Sequence, residues 1–435
     1  MKPLKVGLIG WGTIGTGVAK ILLEDQELVK RRLGWPLRLA RIADLDLDRP
    51  RPIQVDRGLL TTEAGQVLND PEIEIVIELV GGYEPARTFI LEAIQAGKHV
   101  VTANKALLAT HGREIFEAAA AAGLDVLFEA SVGGGIPVIR GFKEGLAANR
   151  INGFFGILNG TSNYILTKMT KEGMDFHQAL AEAQDKGFAE ADPTFDVEGV
   201  DAAHKLVILT ALAYGLMVSL DQIHVEGISR LDPLDIRFAD EFGYVVKLLA
   251  ISHREGDLVE ARLHPAMLPK DHLLSEVNGP FNAVHVNGDA VGDILFYGAG
   301  AGMMPTASAV VSDVMELARN IRCGAANRVP ALGWSEPLDQ RFTLRPMEDI
   351  RTCYYFRFSA LDRPGVLSKI SGILGRHGIS IKAVIQKGRE MAGAVPIVML
   401  THEAREADVR AALTEMDRLD VLRDRTVVIR VEDKL

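Results

Sequence analysis

Val6-Gly7-Leu8-Ile9 is a short apolar run, and Gly10-Trp11-Gly12-Thr13-Ile14-Gly15 follows it at once. Beyond it, Ile14, Val18, Ile21 and Leu22 recur at helical spacing. A strand joined to a helix through GxGxxG leaves few folds open, because each glycine answers a separate demand. Gly10 allows the tight turn, Gly12 lets backbone approach a pyrophosphate, and Gly15 lets helix and strand pack closely. The first helical amides, with Thr13 and Ile14 at that end, face the phosphates with the positive end of the helix dipole. The pattern predicts an α/β domain with a Rossmann-type, doubly wound parallel sheet that binds a dinucleotide. The bland alternative, a tight turn without a ligand, fits this strand and helix context less well.

The next segments suit such a sheet. Leu37–Ala43 reads as a second strand ending at Asp44, the place where an acidic residue takes the adenine ribose hydroxyls and favours NAD. Arg41, Arg49 and Arg51 lie close by and could serve a 2′-phosphate, so the choice between NAD and NADP stays open. Residues 73–80 form a near-continuous apolar run, as expected for a strand buried on both faces, and Gly81-Gly82 ends it. Pro85 suits the first turn of a helix and Gly97 its stop. His99–Thr102 is another strand, which places Lys105 at the carboxyl end of the sheet, where ligands bind.

The character then changes. Ser131-Val132-Gly133-Gly134-Gly135-Ile136-Pro137 is too glycine-rich for a regular element, and Asn159-Gly160-Thr161-Ser162-Asn163 is a polar turn before a helix. These open a second domain that runs to about residue 304, and a helix at about 305–320 returns to the first domain, residues 1–128. Residues 321–350 read as a linker. From 351 to 435 the order βαββαβ predicts a ferredoxin-like unit. Three domains suit a chain of 435 residues.

The formal net charge of −10 argues against a nucleic-acid partner. The longest apolar run, 206–218, is too short to span a bilayer and follows His204 and Lys205, so no membrane partner is expected. Two cysteines, Cys323 and Cys353, make no disulfide framework, and with no signal peptide in view the expected compartment is the cytoplasm.

Chemistry concentrates in one stretch. Gly187-Phe188-Ala189-Glu190-Ala191-Asp192-Pro193 leads to Asp196, Asp201 and Lys205. Asp201 and Lys205 are spaced i, i+4, so they share a helix face, and the apolar run after them supplies a desolvating wall. Hydride transfer to an aldehyde builds charge on oxygen, and a nearby acid must neutralise it. Desolvation and carboxylates pull a lysine pKa in opposite directions, so Lys205 is a candidate acid of unsettled strength. His204 points a quarter-turn away and reads as packing. A solvated surface pair is the competing reading of Asp201 and Lys205.

Thr102-Ala103-Asn104-Lys105, Glu129-Ala130-Ser131-Val132-Gly133-Gly134-Gly135-Ile136-Pro137, the 159–163 turn, the 187–193 stretch, Asp196, Asp201, Lys205 and Gly300-Ala301-Gly302 occur in that order. This set resembles homoserine dehydrogenase over roughly the first 320 residues. The C-terminal unit, with Asp362-Arg363-Pro364-Gly365-Val366-Leu367, resembles an ACT domain, and no kinase segment precedes the fingerprint. The whole looks like the monofunctional, threonine-regulated form. The resemblance implies interconversion of L-homoserine and L-aspartate 4-semialdehyde with NAD or NADP, serving threonine and methionine synthesis. It implies Lys205 as proton donor with Asp201 beside it, and Glu190, Asp196, Asp201, Lys105 and Thr161 around the substrate. Gly187, Gly300 and Gly302 would approach the cofactor, as would Lys105. Backbone at Glu129, Val132, Gly134 and Ile136 would hold a monovalent cation, sodium. The middle domain, 129–304, would be an α+β substrate-binding and dimerisation domain in a homo-oligomer, dimer or tetramer. Asp362 and Gly365 would meet a threonine effector. Aspartate-semialdehyde dehydrogenase is the alternative enzyme and needs a thiolate, which only Cys323 or Cys353 could give. A sensor that keeps the nucleotide fold without turnover is the non-enzymatic alternative.

Overall fold

The computed structural model describes residues 2–335, 338–386 and 394–433, which divide into two compact units. The first unit comprises Met1–Asn152, Asp201–Gln222 and Phe281–Phe342, and the second Gly153–Val200, Ile223–Pro280 and Thr343–Leu435.

In the first unit, strands β1 (Leu4–Ile9), β2 (Leu37–Ala43), β3 (Leu60–Thr61), β4 (Ile73–Glu78), β5 (His99–Thr102) and β6 (Val126–Leu127) form a six-stranded sheet in the order β3-β2-β1-β4-β5-β6. Every pairing is parallel. This is the expected doubly wound order, with its switch point between β1 and β4. β1, β4 and β5 are almost wholly buried, which is why they read as largely apolar runs. The glycine turn opens helix Thr13–Glu24, whose apolar face packs with that of helix Met303–Cys323 in the core of this unit. That second helix is the returning one, longer than the sequence suggested.

Helix Val200–Tyr214 is buried at every position from Asp201 onward. Its apolar residues run right round it, as a core helix requires. No helix among the described residues is long and apolar enough to cross a membrane.

In the second unit, strands Tyr244–Glu255 and Leu258–Pro269 form a long antiparallel hairpin, tightened by Gly256 at φ +62°. Residues 153–156 pair with the outer side of the first of these strands. The C-terminal segment is ferredoxin-like. Strand Arg351–Leu361 lies between Ala394–Thr401 and Val427–Val431, and Ile381–Gln386 pairs with Ala394–Thr401. Helices Val366–Arg376 and Glu406–Met416 contribute to its own core with Tyr354, Phe356 and Phe358.

Alternation of side chains cannot say which strand pairs with which. Here Val427–Val431 also pairs in parallel with the long hairpin, Ala266 opposite Arg430, so one sheet runs through both parts of the unit. The short strand Thr343–Leu344, within the stretch read as linker, pairs with the same hairpin strand. Buried ion pairs lie along this seam. Arg262 Nη1 donates to Glu432 Oε1 at 2.5 Å, and Arg430 Nη2 to Glu406 Oε1 at 2.7 Å. Burial would raise the Glu406 carboxyl, but Arg430 outweighs it and holds it at about 2. Such pairs add little net stability over apolar packing, while removal of one partner leaves the other charge buried and unpaired.

Candidate active site

The glycine turn has the geometry that its sequence demanded. Gly10 has φ +99°, and a Cβ there would sit 2.5 Å from the backbone of Leu79. A Cβ on Gly15 would sit 2.1 Å from the Gly10 carbonyl oxygen, so this glycine permits the close approach of helix to strand. Gly12 differs, because a Cβ there meets nothing within 4 Å. It caps helix Thr13–Glu24 without a side-chain partner, which leaves the first helical amides to an anion. Beside the turn lies a cavity of about 330 Å³, apolar at Leu45, Ala64, Leu79 and Phe89, with Asp44 on its lining. An open backbone face for a diphosphate, an apolar slot and a carboxylate next to both fit a dinucleotide.

These features separate two substitutions. Gly15→Ala is expected to unfold or rearrange the turn. Gly12→Ala is expected to leave the thermal midpoint within about 1 °C while weakening nucleotide binding about tenfold or more, since only a ligand occupies that space. Calorimetric melting beside a fluorescence titration checks both, and equal effects of the two changes on folding would remove the distinction.

At the carboxyl end of the sheet, Glu78 and Thr102 stand opposite each other in register on β4 and β5. Thr102 Oγ1 donates to Glu78 Oε2 at 2.7 Å, while Glu78 Oε1 accepts from the Val80 amide at 2.7 Å. Burial pushes the Glu78 carboxyl up against these bonds. Asn104 caps helix Lys105–Ala122, its Oδ1 accepting from the Leu107 amide and its Nδ2 donating to the Gly82 carbonyl at 2.6 Å. This web fixes the helix start from which Lys105 projects. Sequence reasoning singled out Lys105 but not Glu78, whose only signal is a carboxylate at the end of an apolar strand.

Lys105 Nζ lies 2.9 Å from Asp201 Oδ1, and Lys205 Nζ donates to Asp201 Oδ2 at 2.6 Å. The i, i+4 pair is therefore buried, and it makes two members of a triad whose third, Lys105, comes from the helix start just after β5. Burial alone would raise the Asp201 carboxyl. Lys205 and Lys105 outweigh that and hold it well below the usual carboxylate range. Two ammoniums share one carboxylate, so the cluster carries a net positive charge, with Asp201 and Lys205 shielded from water and Lys105 half-buried. Such a cluster attracts a substrate carboxylate or the negative oxygen that forms on a reduced carbonyl. His204 is buried on the same helix, and burial pushes its imidazole pKa down against the pull of Asp201.

The glycine-rich loop packs against the 299–302 turn. Gly135 N donates to the Ala299 carbonyl, and a Cβ on Gly134, at φ +56°, would lie 2.6 Å from the Gly300 oxygen. Gly302, at φ +120°, caps helix Met303–Cys323. The Glu129 carboxylate accepts from the amides of Ile139 and Arg140 at 2.8 and 2.9 Å, and its own amide donates to Asp313 Oδ2 at 2.8 Å. Burial and Glu129 push the Asp313 carboxyl up to about 8. Val132 and Ile136 are buried in the same loop. Among the described residues no cluster of three or more His, Cys, Asp or Glu side chains is arranged to hold a metal, so a cation in this loop would rely on carbonyl oxygens.

The remaining expected site residues lie in the second unit. Thr161 Oγ1 donates to the Phe188 carbonyl at 2.6 Å, and Asn159 Nδ2 to Asp196 Oδ1 at 2.7 Å. The start of helix Gly160–Glu172 and the 188–196 stretch are thereby held together, with Glu190 exposed between them. Gly187 takes φ +73° just after helix Phe176–Asp185, a backbone need that explains the glycine by itself. Gly365, at φ +91°, caps helix Val366–Arg376 without a side-chain partner, and Asp362 is exposed just before it.

The comparisons with known proteins agree with this architecture. Residues 10–129 match the model of the homoserine dehydrogenase NAD-binding domain, 137–315 that of homoserine dehydrogenase, and 354–421 that of the ACT domain. A homoserine dehydrogenase of Pseudomonas aeruginosa is 46% identical over 435 residues, which is 99% of each chain. A crystal structure of a homoserine dehydrogenase from Thiobacillus denitrificans superposes with a TM-score of 0.94 at 48% identity, covering 100% of this chain and 99% of that one. A hyperthermophilic archaeal homoserine dehydrogenase in complex with NADPH gives 0.61 at 25% identity, over 73% of this chain and 98% of the other. A parallel dinucleotide sheet, a lysine–aspartate–lysine cluster at its carboxyl end and full-length likeness to these enzymes place the chain in the homoserine dehydrogenase family of NAD(P)-dependent oxidoreductases, with an ACT domain near its C-terminus.

Proposed function

We propose that the protein interconverts L-homoserine and L-aspartate 4-semialdehyde, with Lys205 as the group that moves the proton. The observation that carries this is the Lys105–Asp201–Lys205 cluster, with Asp201 and Lys205 buried and Lys105 half-buried. The bound nicotinamide supplies the hydride in reduction and takes it in oxidation. As the carbonyl carbon gains the hydride, its oxygen gains charge, and the Lys205 ammonium gives that oxygen a proton. In oxidation neutral Lys205 takes the hydroxyl proton back. Asp201 holds Lys205 in place through a charged hydrogen bond. Lys105 adds positive charge where the nicotinamide and substrate meet. Glu190 takes the α-ammonium group, with Asp196 and Thr161 supporting its loop. The NADPH complex of the archaeal relative supports a nicotinamide dinucleotide in the glycine turn.

Finer points belong to the same reading. Carbonyl oxygens of Glu129, Val132, Gly134 and Ile136 hold a monovalent cation, sodium, which braces the glycine-rich loop. Residues 1–128 and the returning helix bind nucleotide, 129–304 bind substrate and dimerise, and 351–435 sense the effector. The protein works as a cytoplasmic homo-oligomer.

The test is oxidation of L-homoserine by the full-length protein with either nucleotide, with and without threonine. Failure to reduce both nucleotides would remove the enzymatic reading. Threonine is expected to inhibit, through an amino-acid effector held at Gly365 and Asp362. Asp362→Ala is then expected to raise the threonine concentration for half-inhibition about tenfold, the worth of one charged hydrogen bond, with basal turnover unchanged. An unaltered threonine response in that variant would take Asp362 out of the effector site.

A further inference from the structure

Three arginines, Arg41 on the second strand and Arg49 and Arg51 after it, are near enough in sequence to meet a 2′-phosphate, and the structure engages Arg41 and Arg51 elsewhere. Arg41 Nη1 donates to Gln66 Oε1 at 3.2 Å. Arg51 is a strut. Its guanidinium carbon lies 3.9 Å from the centroid of the Trp11 ring, inside the glycine turn. Its Nε donates to the Trp11 carbonyl at 2.8 Å, Nη1 to the Arg49 carbonyl at 2.9 Å and Nη2 to the Asp46 carbonyl at 2.5 Å. The side chain is only 5% exposed. A guanidinium clamps a phosphate with the same fork of N–H groups that this one spends on backbone carbonyls.

Asp44 stands beside the strut, its Oδ1 3.9 Å from Arg51 Nη2. It lines the 330 Å³ cavity beside Gly10 and Gly12. Its Oδ2 accepts from the Trp11 amide at 2.5 Å and its Oδ1 from the Asp46 amide at 2.8 Å. A carboxylate offers about four lone-pair positions, so capacity for two ribose hydroxyls remains. A 2′-phosphate in the same place would face that carboxylate, while the Arg51 fork beside it is already turned onto the carbonyls of Trp11, Arg49 and Asp46.

We propose that this chain selects the dinucleotide with a free 2′-hydroxyl, NAD(H) over NADP(H), with Asp44 as the selecting residue and Arg51 as a brace for the turn that holds Asp44 in position. The proposal rests on the reading of the glycine turn as a dinucleotide site.

Binding alone tests it. The full-length protein is titrated with NADH and with NADPH, following nucleotide fluorescence. NADH is expected to bind at least about tenfold tighter. Asp44→Ser is expected to narrow that ratio, chiefly by improving NADPH binding. Arg51→Ala is expected to weaken both nucleotides alike, because a brace serves both. Equal or tighter NADPH binding by the unaltered protein overturns the proposal, and so does an Arg51→Ala loss confined to NADPH. An NADPH preference that disappears in Arg49→Ala would overturn it too, and would pass the choice to that exposed arginine. Binding of neither nucleotide would instead remove the dinucleotide reading, and the proposal with it. The comparison of nucleotides on the unaltered protein needs no variant to fold.

Discussion

Replacing Lys205 by methionine is expected to lower kcat for homoserine oxidation by about 10²–10⁴-fold, the range for loss of a positioned acid–base group. Nucleotide binding should persist. The residue is 7% exposed in a helix buried along its length, and methionine fills nearly the space of the lysine stem without its charge. Asp201 keeps Lys105 at 2.9 Å, so no carboxylate is left alone. The helix therefore has no strong reason to unfold. A group that acts only as the proton moves should take kcat and kcat/KM down together. Lys105→Met should behave differently, with a large share of its loss in KM, because that lysine helps to bind. Turnover of the Lys205→Met enzyme within a few-fold of normal would reject the assigned role.

Much of the first unit was legible because its chemistry is local. The glycine turn, the apolar runs of β4 and β5 and the Asp201–Lys205 spacing each need only neighbouring residues to be read. The helix that carries the pair betrays its burial by the almost wholly apolar run that follows Lys205. Lys105 was legible as a site residue from its place after β5, yet its bond to Asp201 was not, since nothing in either segment names the other. The same holds for Arg51. Sequence proximity to Asp44 made it a phosphate candidate, and only the fold shows its fork turned onto Trp11 and the 46–49 backbone. Charged residues within strands were the least legible. Arg262 and Arg430 interrupt their strands, and each pairs with a carboxylate outside its own strand, Glu432 and Glu406. A period-two pattern gives the face of a strand but not its partner, so the pairing of Val427–Val431 with the long hairpin could not be foreseen. Likewise Glu78 looks like any strand-end carboxylate until Thr102 is placed opposite it.

Asp201→Asn should produce the largest loss of stability among the site substitutions. Both carboxylate oxygens are in use, one by each lysine. An asparagine keeps one acceptor and turns an N–H₂ group toward the other ammonium, so the buried Lys205 and the half-buried Lys105 face each other with no carboxylate between them. Removing one partner from a buried ionic cluster costs about 3–5 kcal/mol. For a unit of this size that is a fall of roughly 6–20 °C in the thermal midpoint. The double variant Asp201→Asn/Lys105→Met removes one of the opposed cations and should melt higher than Asp201→Asn alone. If the double variant is worse instead, repulsion between the lysines is not what the carboxylate relieves. The pH dependence gives a second check. The folded-state pKa of Asp201 lies below its unfolded value, so its contribution is complete above the ordinary carboxylate range and is lost only as pH falls through the depressed folded value. The gap between wild type and Asp201→Asn should therefore stay constant from neutral pH down to about pH 4 and close only in stronger acid. A gap that closes already between pH 6 and 5 would mean that Asp201 titrates as an ordinary or raised carboxyl. Its two lysines would then not be holding it charged, and Lys205 would lose the fixed partner on which its role as proton donor depends.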